Sequence, residues 1–147
     1  MKHVFSTAFA LLCGLCLAAC VVVDEKVAVH ADEASLERSV ELGNNILAAF
    51  RDEDFAHLRE NIPGPLQSKM TEKDFRTSCK NWRDSLGRIR DCEYKFELET
   101  PAVRNLVWKV GFERDGSDGD PVEQDMLFRL VTGNVDGETE VLSCGFL

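Results

Sequence analysis

The chain has little of what most catalytic or metal-binding sites are built from. Its 147 residues include three histidines and one tyrosine. Past residue 20 no two cysteines form a Cys-x-x-Cys pair, so a zinc site would have to be assembled from Cys79, Cys92, Cys144, His30 and His57 at unrelated spacings. No nucleophile motif, oxyanion-hole signature or cofactor fingerprint occurs, and no cofactor is expected. Positive charge is scarce as well: 17 Lys and Arg face 26 Asp and Glu, a formal charge of −9. That balance removes the phosphate attraction behind nucleic-acid binding, which is excluded as a function, and opposes contact with an anionic lipid surface. No apolar run beyond Val23 is long enough to span a bilayer, and there is neither an internal repeat nor a low-complexity tract.

What is present begins at the N-terminus. Lys2 and His3 make a short basic start, Val4 to Leu17 is an apolar run, and Leu17-Ala18-Ala19-Cys20 follows, the order of parts in a secretory signal. The run reaches only Val23 and is interrupted by Gly14, short for a membrane anchor. These residues resemble the bacterial lipoprotein signal, whose final cysteine receives diacylglycerol on its sulfur and becomes the new N-terminus. The resemblance implies a signal peptide over 1–19, lipidation at Cys20, and the membrane as a partner through N-terminal acyl chains. It also implies a place in the bacterial cell envelope; with Val21 rather than Asp after the cysteine, that place is the periplasmic face of the outer membrane where two membranes exist. Removing residues 1–19 leaves 128 residues with 16 Lys and Arg against 26 Asp and Glu, a formal −10 and enough chain for one domain. Residues 20–31 read as the lipidated cysteine and a tether, whose eleven residues from Val21 to Ala31 reach about 36 Å when extended. The alternative for Val21 to Val29 is an edge strand.

The single domain expected over 32–147 starts with helices. Asp32 or Ser35 caps a helix to about Arg51, with Leu36, Val40, Gly43, Ile46, Leu47 and Phe50 on one stripe. Asp52 to Leu58 reads as a short second helix begun by acidic residues, stopped at Ile62-Pro63-Gly64-Pro65. Thr71 and Asp74 are spaced as a capping box, Met70 and Phe75 as a hydrophobic staple, and Gly87 as the stop of a third helix whose inner face is Phe75, Cys79, Trp82 and Leu86. From Arg88 the period becomes alternating. Cys92, Tyr94, Phe96 and Leu98 are expected to point inward from a first strand, and Leu106, Trp108, Val110 and Phe112 from a second over 104–114. Met126, Phe128 and Leu130 do so from a third over 122–132, and Leu142, Cys144 and Phe146 from a fourth over 138–146. Helices followed by a meander of strands predict an α+β domain, with N-terminal helices packed on one face of a curved four-stranded antiparallel sheet.

The helix ending Ala48-Ala49-Phe50-Arg51-Asp52-Glu53-Asp54-Phe55, the helix ending Leu86-Gly87, and the meander closing on Val141-Leu142-Ser143 resemble small exported domains of the cystatin-like, nuclear-transport-factor-2-like fold. That resemblance implies a sheet wrapped around the long helix, with a cone-shaped cavity that some members use as an enzyme pocket and many for binding or pairing. It does not bring protease inhibition, because the Gln-x-Val-x-Gly hairpin of inhibitory cystatins is absent.

Two constellations carry candidate chemistry. Asp54 and His57, three apart on one helix, are the catalytic candidates as a proton-transfer pair at a cavity mouth, with Tyr94 and Trp108 as possible lining; capping and surface exposure explain the same two residues. Asp115, Ser117, Asp118 and Asp120 are the metal candidates in the 115–120 loop, set against a plain hairpin turn, since glycine stands where a calcium loop needs an oxygen ligand. Among the thiols, folding back at Gly87 favours a Cys79–Cys92 disulfide, with Cys79–Cys144 and three free thiols as alternatives. The preferred function is a lipid-anchored, non-catalytic binding or interaction module at the cell envelope, taking an envelope protein or a small ligand. The alternative is a small pocket enzyme using Asp54 and His57.

Overall fold

The computed structural model describes residues 33–100 and 102–147. The signal, Cys20, the 20–31 tether and the Asp32 cap lie outside the described residues. Four helices precede four strands: α1 (Glu33–Asp52), α2 (Phe55–Glu60), α3 (Gly64–Gln67), α4 (Glu72–Leu86), β1 (Arg88–Glu99), β2 (Arg104–Asp115), β3 (Pro121–Val135) and β4 (Glu138–Phe146). The strands form one open antiparallel sheet in the order β1-β2-β3-β4, so the chain has α+β architecture.

Local chemistry accounts for most boundaries. The α1 helix ends where Glu53 takes a positive φ of 54°, and Asp54 caps α2 by accepting from the His57 backbone N–H. The segment 62–65 follows the end of α2 at Glu60, as the sequence led us to expect, and also starts α3: Pro63 is its N-cap and Pro65 stands in the first turn, where a missing N–H costs nothing. Thr71 and Asp74 form the expected reciprocal capping box of α4. Gly87 ends α4 at φ 100°, and a side chain there would strike the Glu113 carbonyl. The β3–β4 turn is the two residues Asp136 and Gly137, both at positive φ, the hairpin chemistry of an Asp-Gly pair.

The core joins α1 and α4 to one sheet face. Ile46, Leu47, Phe50, Phe75 and Cys79 are buried with Leu106, Trp108, Val110, Phe112, Phe128 and Leu130. Phe50 packs on Phe75 at 5.4 Å, on Trp82 at 5.0 Å and on Phe128 at 6.4 Å between ring centroids, and Trp82 reaches Phe146 at 4.8 Å. Aromatic edge-to-face contacts therefore run from α1 and α4 across to β3 and β4. One buried polar contact crosses the same interface, Ser39 Oγ to Thr132 Oγ1 at 2.8 Å.

Three β-bulges correct the expected facing of the strands. Between Tyr94 and Phe96 the register slips, so Tyr94 stands opposite Trp108 but Phe96 stands opposite Val107. An extra residue turns every following side chain over. Phe96 and Leu98 thus leave the core side and are exposed, while Glu97 turns inward to meet the buried Arg104 at 2.7 Å. A second slip, between Val131 and Thr132, places Val141 opposite Thr132 and leaves Leu142 outside, contrary to its expected inward place. The third lies between Ile89 and Asp91.

Candidate functional site

The Asp54–His57 pair is present but is not arranged for proton transfer. The Asp54 carboxylate oxygen Oδ1 accepts from the His57 backbone N–H at 3.0 Å, which commits it to starting α2. The imidazole turns instead to Glu60, with Nδ1 at 3.8 Å from the carboxylate. A general base must reach the proton it takes, and neither group faces an enclosed space.

Around Trp108 the space between helix and sheet is filled. Trp108 is fully buried, donates its indole N–H to Asn44 Oδ1 at 3.0 Å, and meets Phe128 at 6.2 Å and Tyr94 at 5.3 Å. Gly43 faces this indole so closely that any β-carbon would overlap it. Trp108 is thus a core residue, and Tyr94 packs against it. Three of the concavities that remain lie at the surface. One of about 360 Å³ is bordered by Phe50, Arg51, Glu53, Cys79, Trp82 and Ile89. A second, about 530 Å³, takes in Asp54 with Arg59 and Arg76, and a third, about 520 Å³, takes in Tyr94 with Leu36 and Val40. Asp54 and Tyr94 therefore border different clefts, and His57 borders none of these.

Four of the charges around the first cleft are paired among themselves: Arg51 holds Asp52 at 2.9 Å, and Arg83 of α4 holds Glu53, while Arg88 also borders the cleft. The hydrogen bond from Arg51 keeps the Asp52 carboxyl below the usual carboxylate range. Both pairs are largely solvated and add little to stability.

The 115–120 loop is a hairpin turn. The Gly116 N–H donates to the Asp120 carbonyl at 2.9 Å and the Gly119 N–H to the Gly116 carbonyl at 3.2 Å. Ser117 Oγ donates to Asp118 Oδ1 at 3.2 Å, which occupies two of the metal candidates with each other. Among the described residues no group of three or more His, Cys, Asp or Glu is disposed to hold a metal ion, so Asp115, Ser117, Asp118 and Asp120 have no geometric support as a site.

Cys79, Cys92 and Cys144 are free thiols, and neither expected disulfide is formed. The β1 residues that share the first cleft with Cys79 are Arg88 and Ile89, not Cys92. Cys144 belongs to β4, opposite Leu130. Burial pushes the Cys79 and Cys144 thiols up to about 11, which makes them poor nucleophiles at neutral pH.

The feature that sequence reasoning missed is the sheet face turned away from the core. Phe96, Leu98, Leu127, Leu142 and Leu147 are 41% to 63% exposed. Cross-strand pairing sets them in adjoining rows: Leu98, Asn105, Val131 and Ser143 in one, Phe96, Val107, Arg129 and Gly145 in the next. Leu127 lies one step further along β3, bonded through its carbonyl to the Leu147 N–H at 2.8 Å. Its signal in the sequence was the Leu127, Arg129, Val131 alternation of β3, which reads as outward once Phe128 and Leu130 are assigned inward. No family model matches this chain, and no curated protein matches it as a relative.

Proposed function

We propose that this chain is a lipid-anchored cell-envelope protein acting as a non-catalytic binding or interaction module. The observation that carries the reading is the state of the two catalytic candidates: Trp108 fills the space against Gly43, and among the described residues Asp54 is committed to a helix cap and does not share a cleft with Tyr94. The open apolar sheet face supplies a surface suited to binding instead. The anchor rests on Leu17-Ala18-Ala19-Cys20 and its likeness to the bacterial lipoprotein signal. The domain is assigned to the cystatin-like, nuclear-transport-factor-2-like fold on the long helix followed by a four-strand meander.

Two measurements test it. The wild-type chain should incorporate labelled fatty acid and sediment with membranes, while Cys20→Ala should take up no label; a processed Cys20→Ala chain that stays membrane-bound would overturn the anchor. Turnover of any small substrate that is lost on His57→Ala would replace the binding reading with the enzyme reading.

A further inference from the structure

The outward sheet face has a specific charge arrangement. Arg129 stands near its middle, between Leu127 and Val131 along β3, with Val107 of β2 on one side and Gly145 of β4 on the other. The basic residues beside the patch are already engaged: Lys95 holds Glu93 at 2.6 Å, Lys109 holds Asp125 at 3.3 Å, and Arg90 holds Asp91 at 2.6 Å and Glu123. Arg129 has no hydrogen-bond or ion-pair partner among the described residues and is exposed. Beside it, Gly145 carries no side chain, and the space a β-carbon would take is open. Gly145 therefore leaves a notch on the β4 side of Arg129, and exposed Phe96, Leu98, Leu127 and Leu142 belong to the same sheet face.

Three kinds of occupant suit an apolar face, and the charges separate them. A second copy placed with its two-fold axis at the middle of the face would set Arg129 against Arg129, a like-charge juxtaposition that suppresses pairing. An anionic bilayer would have to accept a chain of formal charge −9 through a face beside which Lys95, Lys109 and Arg90 are already held by carboxylates. A protein segment with apolar side chains around one carboxylate satisfies both features, since it covers the leucines and supplies the planar two-oxygen group that a guanidinium binds best. We propose that the outward sheet face, centred on Arg129, docks a partner protein segment that presents an Asp or Glu carboxylate among apolar side chains. This deepens the interaction-module reading and rests on it.

The test uses the full lipidated chain in its own cells, with a photo-crosslinking residue installed as Leu98→p-benzoylphenylalanine or, separately, Leu142→p-benzoylphenylalanine. The expected result is one defined protein adduct from both positions, with the crosslinked peptide carrying Asp or Glu among apolar residues. Arg129→Glu should lower the adduct by roughly tenfold or more. Changing the identified acidic residue to Arg should restore the adduct to Arg129→Glu, which a general loss of folding would not permit. Arg129→Gln, an exposed and isosteric-sized change, keeps the test readable if the charge reversal lowers protein levels. Adducts to a second copy, to lipid or to residues 20–32 of the same chain, no adduct at all, or an adduct indifferent to residue 129 would each overturn the proposal. A probe at Lys80, on the exposed side of α4, separates the two levels: partner adducts from Lys80 with none from Leu98 or Leu142 would sink this surface and leave the interaction module standing.

Discussion

Gly43 of α1 and Trp108 of β2 interlock: the ring occupies the place a side chain at 43 would need, and the helix comes down on the sheet because position 43 has none. Gly in a helix interior costs about 1 kcal/mol relative to Ala, so propensity alone favours alanine here. Gly43→Ala is nonetheless expected to destabilise the domain by about 1–3 kcal/mol, the range for overpacking a filled core. Chemical denaturation checks it, and a rise in stability would mean that the indole has room to move.

The Ser39–Thr132 pair has a defined direction. Ser39 Oγ already donates its one proton to the Ser35 carbonyl at 2.8 Å, so Thr132 is the donor in the buried 2.8 Å contact. Ser39→Ala is expected to cost about 1–3 kcal/mol by stranding the Thr132 hydroxyl. Adding Thr132→Val should recover part of that loss, and additive effects in the double-mutant cycle would show the two hydroxyls to be uncoupled.

Asp54 is expected to matter for folding and not for chemistry. Asp54→Ala removes the α2 cap at a cost of about 1 kcal/mol, whereas His57→Ala, which leaves that backbone contact intact, should change the melting temperature far less. Equal destabilisation by the two would indicate that the imidazole does more than meet Glu60.

The thiols make stability depend on alkaline pH. A group whose pKa is raised in the folded state stabilises the fold below its ordinary value and loses that contribution as the pH climbs to the folded value. For Cys79 and Cys144 the window runs from 9.0 to about 11, so denaturation midpoints should fall as pH rises through it. Cys79→Ser and Cys144→Ser should flatten that fall. In native protein at pH 8, alkylation is expected at the exposed Cys92 first, with Cys79 reacting only on unfolding. Non-reducing peptide mapping should find none of the three linked.

The Asp54 and Thr71 caps, the Gly87 stop and the inward faces of β2 and α4 were legible because each depends on residues within a few positions of one another, whereas the connection expected over 133–137 narrows to Asp136-Gly137 as β3 continues to Val135. Thr71 finds Asp74 three residues on, and Leu106, Trp108, Val110 and Phe112 alternate along one strand, so short-range geometry settles them. The bulges were not legible, because a bulge belongs to two strands at once. Nothing near Lys95 in the chain announces that Phe96 will stand opposite Val107. That slip is decided by the pairing with β2, the closure of the 100–103 connection, and the gain from seating Glu97 on the buried Arg104. The same kind of event at Val131 turned Leu142 outward and Val141 inward. In one chain, then, local chemistry specified the order of elements and most of the core. Inter-strand register, which sums interactions between residues distant in sequence, decided the apolar surface around Arg129.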